Sequence, residues 1–241
     1  MRRIHVGTSG WQYADWRGTF YPRALPPAQW LLHYAGHFDT VEVNNTFYRL
    51  PSRGVFESWR ASTPSHFVFA VKLSRYLTHV RRLRDASDPV AHFLEAARGL
   101  RGRLGPVLMQ LPPTMRVDLD CLVAALRCFP RRQRIAVELR HPSWFTDPVK
   151  QALGDVGAAL VLSDRLGKFQ QPEWFTADWT FIRLHGGRGA RGNYGRQALA
   201  TWAQRLSAYP AEDAFVFFNN DSRGNAPRNA QALERLLSDT R

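Results

Sequence analysis

The chain has 241 residues, 44% hydrophobic and 12% aromatic, enough apolar material for the packed core of one large domain or two small ones. Its formal charge of +13 admits a nucleic-acid partner. The cations, however, are almost all arginines scattered along the chain, with Lys72, Lys150 and Lys168 the only lysines, which reads equally as a solvated basic surface. No run of about 18 apolar residues exists, which excludes a helical membrane span, and MRRIHVGTSGW carries no apolar leader, so residence in the cytoplasm is expected.

The first strand-like run, RIHVGTS, precedes PAQWLLHYAGHF, a candidate helix opening after Pro26. FDTVEVNN follows, then SRGVFESWRAS with Ser52 placed to cap a helix. FVFAVKL leads to DPVAHFLEAARGL, with Asp88 as the expected cap and Pro89 in the first turn. PVLMQLPP leads to DLDCLVAALRCF, starting from Asp118. Cys121 and Cys128 sit seven apart there, on one helical face but roughly 10 Å apart along it, too far for a disulfide. RIAVELRH, TDPVKQALGDV, AALVLSD, WTFIRLHG, RQALATWAQRLSAY, AFVFFNND and NAQALERLLSD complete the series. Eight strands, each followed by a helix-like segment and with no linker between units, predict an α/β protein: one (β/α)8 TIM-like barrel over residues 1–241. The rival is an open dinucleotide-binding sheet. It calls for G-x-G-x-x-G after the first strand, and GTSGWQYADW does not supply it.

Side chains of a barrel strand alternate between the lumen and the helix layer. Sending the large apolar residues outward leaves Glu42, Asn44, Lys72, Gln110, Glu138, Arg140, Arg183 and His185 inside, with Asp164 and Asn219 at strand ends beside them. Asp164 shares the parity of Leu160 and Leu162, and the last strand, aromatic on both faces, leaves its parity open. All of these lie at C-terminal strand ends, where barrel active sites are built.

Carboxylates and fixed cations in balance fit an anionic organic ligand. Arg140 and Arg183 would clamp a phosphate or carboxylate; Glu138 would be the leading acid/base, with Asp164 or His185 as partner. Glu42 would orient Lys72 or a ligand hydroxyl. Lys72 would act as a Schiff-base nucleophile only if desolvated, and Glu42 is expected to hold it charged instead. Glu42, Glu138, Asp164 and His185 have the donor types for a divalent metal, but the arginines compete, so no cofactor is expected. Tyr48, Trp11 and Trp144 in the aromatic loops would either stack on a ligand or pack as a lid. HGGRGARGNYGR with Arg188, and NNDSRGNAPRNAQ with Asn219 and Asn220, follow the last two strands, where barrels often hold phosphate.

GTSGWQYADWRGTFYP, VEVNNTFYRLP, LMQLPP, VELRHPSW, IRLHG and FVFFNN together resemble the YecE-like family, known as domain of unknown function 72, from Gly7 to about Ala230. The resemblance implies a TIM-like barrel. It brings no reaction, cofactor or catalytic residue. The expectation from the residues is an acid–base enzyme acting on a small phosphorylated or otherwise anionic ligand. A nucleic-acid-binding or -processing protein, metal-assisted or not, and a non-catalytic binding module are the alternatives. Oligomeric state is left open.

Overall fold

The computed structural model describes residues 3–239. Eight parallel strands form the barrel: β1 (Arg3–Thr8), β2 (Thr40–Val43), β3 (Val68–Lys72), β4 (Leu104–Gln110), β5 (Ile135–Glu138), β6 (Ala159–Arg165), β8 (Trp179–Leu184) and β9 (Asp213–Phe218), while β7 (Lys168–Phe169) only folds back on β6. Their order is β1-β9-β8-β6-β5-β4-β3-β2. Helices α1 (Trp30–Ala35), α2 (Arg53–Ala61), α3 (Ser87–Ala97), α4 (Leu119–Arg127), α5 (Asp147–Asp155), α6 (Arg196–Ala208) and α7 (Asn225–Ser238) are interleaved with them. The sixth unit departs from the expected alternation. The β6–β7 hairpin and an irregular stretch, not a helix, connect β6 to β8. Among the described residues no helix is long and apolar enough to cross a membrane.

The parity rule accounts for the core. One apolar cluster holds the outward residues Val41, Val43, Val71, Met109, Val137, Leu160, Leu162 and Ile182 with the helix faces. A separate one fills the lumen: Ala70, Leu108, Ala136, Ala159 and Val161 on one side, Trp179, Phe181, Phe215 and Phe217 on the other. Small residues facing large ones let the rings interdigitate without voids. The last strand's ambiguity is thereby resolved, with Phe215 and Phe217 pointing inward and Asn219 following them to the mouth.

Closure between β1 and β2 is not a regular ladder. One bridge pairs Ser9 with Glu42, and the buried Tyr34 phenol of α1 stands in for the rest. It accepts from the Thr8 N–H at 2.9 Å and donates to the Thr40 carbonyl at 3.0 Å. Gly7 permits the approach, because a Cβ there would lie 2.3 Å from the Thr40 oxygen. Local signals elsewhere mostly hold. Asp118 caps α4 by accepting from the Cys121 N–H. Ser52 precedes α2 with extended backbone but no side-chain cap, and α3 begins at Ser87, one residue before the expected Asp88 cap. Cys121 and Cys128 are free thiols.

Candidate active site at the barrel mouth

The C-terminal mouth holds a cavity of about 650 Å³. Its walls include Asn44 after β2, Lys72 of β3, Gln110 of β4, Glu138 and Arg140 at the end of β5, Arg183 and His185 at the end of β8, and Asn219 after β9. Each reaches the mouth because its strand neighbours at the alternate positions are large and apolar and claim the helix side.

At the floor lies a buried ion network. Arg183, 2% exposed, donates from Nε and Nη2 to the two oxygens of Glu42, both at 2.9 Å, and from Nη1 to Glu138 Oε2 at 2.8 Å. Glu138 also accepts from Arg140 Nε and Gln110 Nε2, each at 2.8 Å, and Asn44 Nδ2 donates to Glu42 at 2.9 Å. Burial alone would push the Glu138 carboxyl up, but Arg183 and Arg140 override it and hold the group well below the usual carboxylate range. A carboxylate so stabilised is a fixed anion and a poor proton acceptor near neutrality. That weighs against the acid/base role expected of Glu138, and the closest charged contacts of Arg183 and Glu42 are within this network, not with Lys72. The three satisfy one another.

Two further titratable groups line the cavity. Burial first, then Arg183, pushes the His185 imidazole down to about 4, so it is neutral at pH 7. Asn219 Nδ2 lies 3.0 Å from its Nδ1; with the amide donating, the ring proton sits on Nε2. Lys72 is 8% exposed. Desolvation, with Arg183 next in weight, lowers its amine to about 8. Among the described residues no carboxylate lies within ion-pair distance of it; its neighbour is the Phe47 ring, whose centroid is 4.2 Å from Nζ. Asn44 Oδ1 and Ser163 Oγ line the cavity as buried oxygens without hydrogen-bond partners, the signature of a site completed by water or ligand.

The family model described as "Protein of unknown function DUF72" matches residues 5–241. The chain belongs to the DUF72 family. UPF0759 protein YunF of Bacillus subtilis is 28% identical over 97% of this chain and 94% of its own length. UPF0759 protein YecE of Escherichia coli K12 is 33% identical, over 59% of this chain and half of its own. A DUF72 family protein of Thermotoga maritima (TM1631) superposes with a TM-score of 0.83 at 29% identity, covering 98% of this chain and 99% of that one. SacUVDE (TM-score 0.61, 7% identity, 100% and 99% coverage) and AP endonuclease, family 2, of Brucella melitensis (0.56, 12%, 94% and 96%) share the TIM-like fold.

Several expected site residues of this DUF72 protein lie elsewhere. Asp164 faces the helix layer with Leu160 and Leu162 and accepts from the Tyr194 hydroxyl at 2.8 Å; Ser163 takes the lumen position. The four-residue metal cluster is therefore not assembled, and Arg183 already bridges Glu42 and Glu138. Among the described residues no three His, Cys, Asp or Glu side chains group as metal ligands. Trp11 packs edge-on against Trp59 at 5.3 Å, and the buried Trp144 donates to the Met115 carbonyl at 2.7 Å, so both are framework. Arg188 turns outward and donates to the Leu166 carbonyl at 3.1 Å. Asn220 is buried, donating to the Gly192 carbonyl at 2.9 Å and to Asn229 at 2.8 Å, which locks the last two loops together away from the cavity. Tyr48 does line it, 83% exposed. Tyr13 and Ser163, which the sequence offers as a loop ring and a strand-end hydroxyl, also line it, and Arg165, Gln170 and Gln171 are wall residues that the sequence reading missed. Ser163 and Arg165 follow from strict alternation with Val161 along β6; Gln170 and Gln171 sit beyond β7, where strand parity gives no signal.

Proposed function

We propose that this barrel is an enzyme that binds a small anionic organic ligand, phosphorylated or carboxylated, and moves a proton on it. The charge of the mouth carries the reading. Lys72, Arg140, Arg165 and Arg183 stand against two carboxylates, both already engaged by Arg183, so the open part of the cavity is cationic. Arg140 gives only its Nε to Glu138. Its side chain is 37% exposed, which leaves the Nη groups for a bidentate anion contact. Lys72, partly neutral at pH 7, is the proton-transferring group, and the neutral His185 imidazole offers a ring N–H as a hydrogen-bond donor. Calorimetric titration with inorganic phosphate tests the anion site. Arg140→Ala should weaken binding about 10- to 100-fold, the worth of a charge-assisted hydrogen bond, while Arg131→Ala, at the far end of β5, should not. Deuterium exchange into sugar phosphates or oxo acids in D2O, followed by NMR, tests proton transfer, and no exchange with any of them would count against the enzyme.

A second reading, a nucleic-acid strand, draws on shape. The cavity shares Phe47 and Tyr48 with one further hollow, which shares Leu50 and His92 with another, extending the trough to Arg81, Arg49 and Arg53. Tyr48 would stack a base. Yet Arg53 pairs with Glu57 and Glu95, and Arg81 with Asp85, so the trough is less basic than the mouth. Oligonucleotide anisotropy against salt concentration decides it: no affinity at 0.15 M salt removes this reading.

A further inference from the structure

We infer that Lys72 is a nucleophile that forms an imine with an anionic carbonyl compound held at the barrel mouth. The inference rests on the anion-site reading and adds the substrate class, an aldehyde or ketone bearing a phosphate or carboxylate.

Three placements support it. Lys72 ends β3 on the lumen parity, following Ala70, so its amine is delivered into the cavity and not to the surface. Its backbone is held at that spot, since the Thr46 hydroxyl donates to the Lys72 carbonyl at 2.6 Å. And the carboxylates that would normally neutralise a buried ammonium, Glu42 and Glu138, are turned onto Arg183 and Arg140, leaving an aromatic face as the amine's close neighbour. A buried cation without a counter-ion is costly, and a structural role would be met more cheaply by an apolar side chain. The charged and titratable groups around it, Arg183, Arg140, Glu42, Glu138 and His79, leave the amine at about 8. About one molecule in ten is then uncharged at pH 7, against roughly one in 2,500 for an ordinary lysine.

The step balances without an outside reagent. A bond forms between Nζ and the carbonyl carbon as the C=O bond opens. Two of the three ammonium hydrogens leave with the carbonyl oxygen as water. The third stays on nitrogen, and the positive charge passes from ammonium to iminium. The first of those protons leaves nitrogen for solvent in the open cavity and one is returned to the oxygen from solvent, while neutral His185 lines the same cavity from the opposite strand. Arg140 and Arg165 would hold the anionic end.

The three lysines make the test direct. The full-length protein is incubated at pH 7 with dihydroxyacetone phosphate or with pyruvate, reduced with borohydride, and mapped by peptide mass. Hydride adds to the iminium carbon and leaves a stable secondary amine. Exposed Lys150 and Lys168 serve as internal controls in the same chain. Modification of Lys72 at least tenfold above both, suppressed by excess phosphate and following an amine that titrates near pH 8, is the expected result. Equal or lower labelling at Lys72 with both compounds overturns it, with no variant needed. The two readings fail separately: phosphate binding that depends on Arg140 without a Lys72 adduct sinks the imine alone, whereas a Lys72 adduct unaffected by phosphate refutes the anionic part of the substrate class. Lys72→Arg, which keeps the charge and removes the primary amine, should abolish the adduct.

Discussion

Replacing Glu138 by glutamine preserves shape and removes one buried charge. Three donors converge on that carboxylate, Arg183 Nη1, Arg140 Nε and Gln110 Nε2, all at 2.8 Å. The new amide would turn an NH2 toward one of them, donor against donor. Removing one partner of a buried pair costs about 3–5 kcal/mol. Because Arg183 keeps both bonds to Glu42, the lower end applies, about 3 kcal/mol, or a fall of roughly 6–12 °C in Tm for a chain this size. Urea unfolding followed by tryptophan fluorescence measures it. The pH dependence has a definite sign. The folded Glu138 carboxyl is depressed, so its stabilisation is complete above the unfolded carboxylate pKa of about 4.3 and is lost as pH falls toward the folded value. The gap between wild type and Glu138→Gln should therefore shrink as pH falls from 7 to 3. A gap under about 1 kcal/mol at pH 7, or one that widens in acid, would refute the account of Glu138 as a fixed structural anion.

Asp164 should behave oppositely. Burial raises its carboxyl, so its contribution is present below the unfolded pKa and lost as pH rises. Wild type should lose stability relative to Asp164→Asn between pH 3 and pH 7, with phosphate affinity unchanged by the substitution; tighter or weaker phosphate binding would return Asp164 to the site. Tyr34→Phe removes the hydroxyl that satisfies Thr8 N–H and Thr40 C=O, an expected loss of about 1–3 kcal/mol, with faster amide exchange at Thr8. Gly7→Ala drives a methyl into the Thr40 carbonyl and should cost at least about 2 kcal/mol; a neutral effect in urea unfolding would mean that the β1–β2 seam yields freely.

Much of this was legible in alternation alone. Val41, Val137 and Ile182 had to face helices, so Glu42, Glu138 and Arg183 had to meet in the lumen. What alternation could not give was their pairing. It treated Arg183 as a ligand clamp because a one-dimensional pattern does not say which strands face each other across a barrel. Asp164 was misjudged because its position at a strand end outweighed its parity with Leu162. Trp11 and Trp144 were undecidable from sequence, since an indole packs or stacks with equal ease. The last two loops carry the glycines and arginines of an anion site, yet Asn220 and Asn229 cross-link them into a cap. Lys72 was expected to be held charged by Glu42; Arg183 took that carboxylate first.

Arg183 has a mechanical meaning besides its electrostatic one. In the circular order of eight staves it sits on β8, and the two carboxylates it holds sit on β2 and β5, nearly evenly spaced around the ring. One guanidinium thus works as the hub of a three-spoked wheel, fixing the roundness of the mouth from within. A ligand that displaced either carboxylate from that hub would loosen one spoke, so occupancy and barrel shape are tied to the same three bonds.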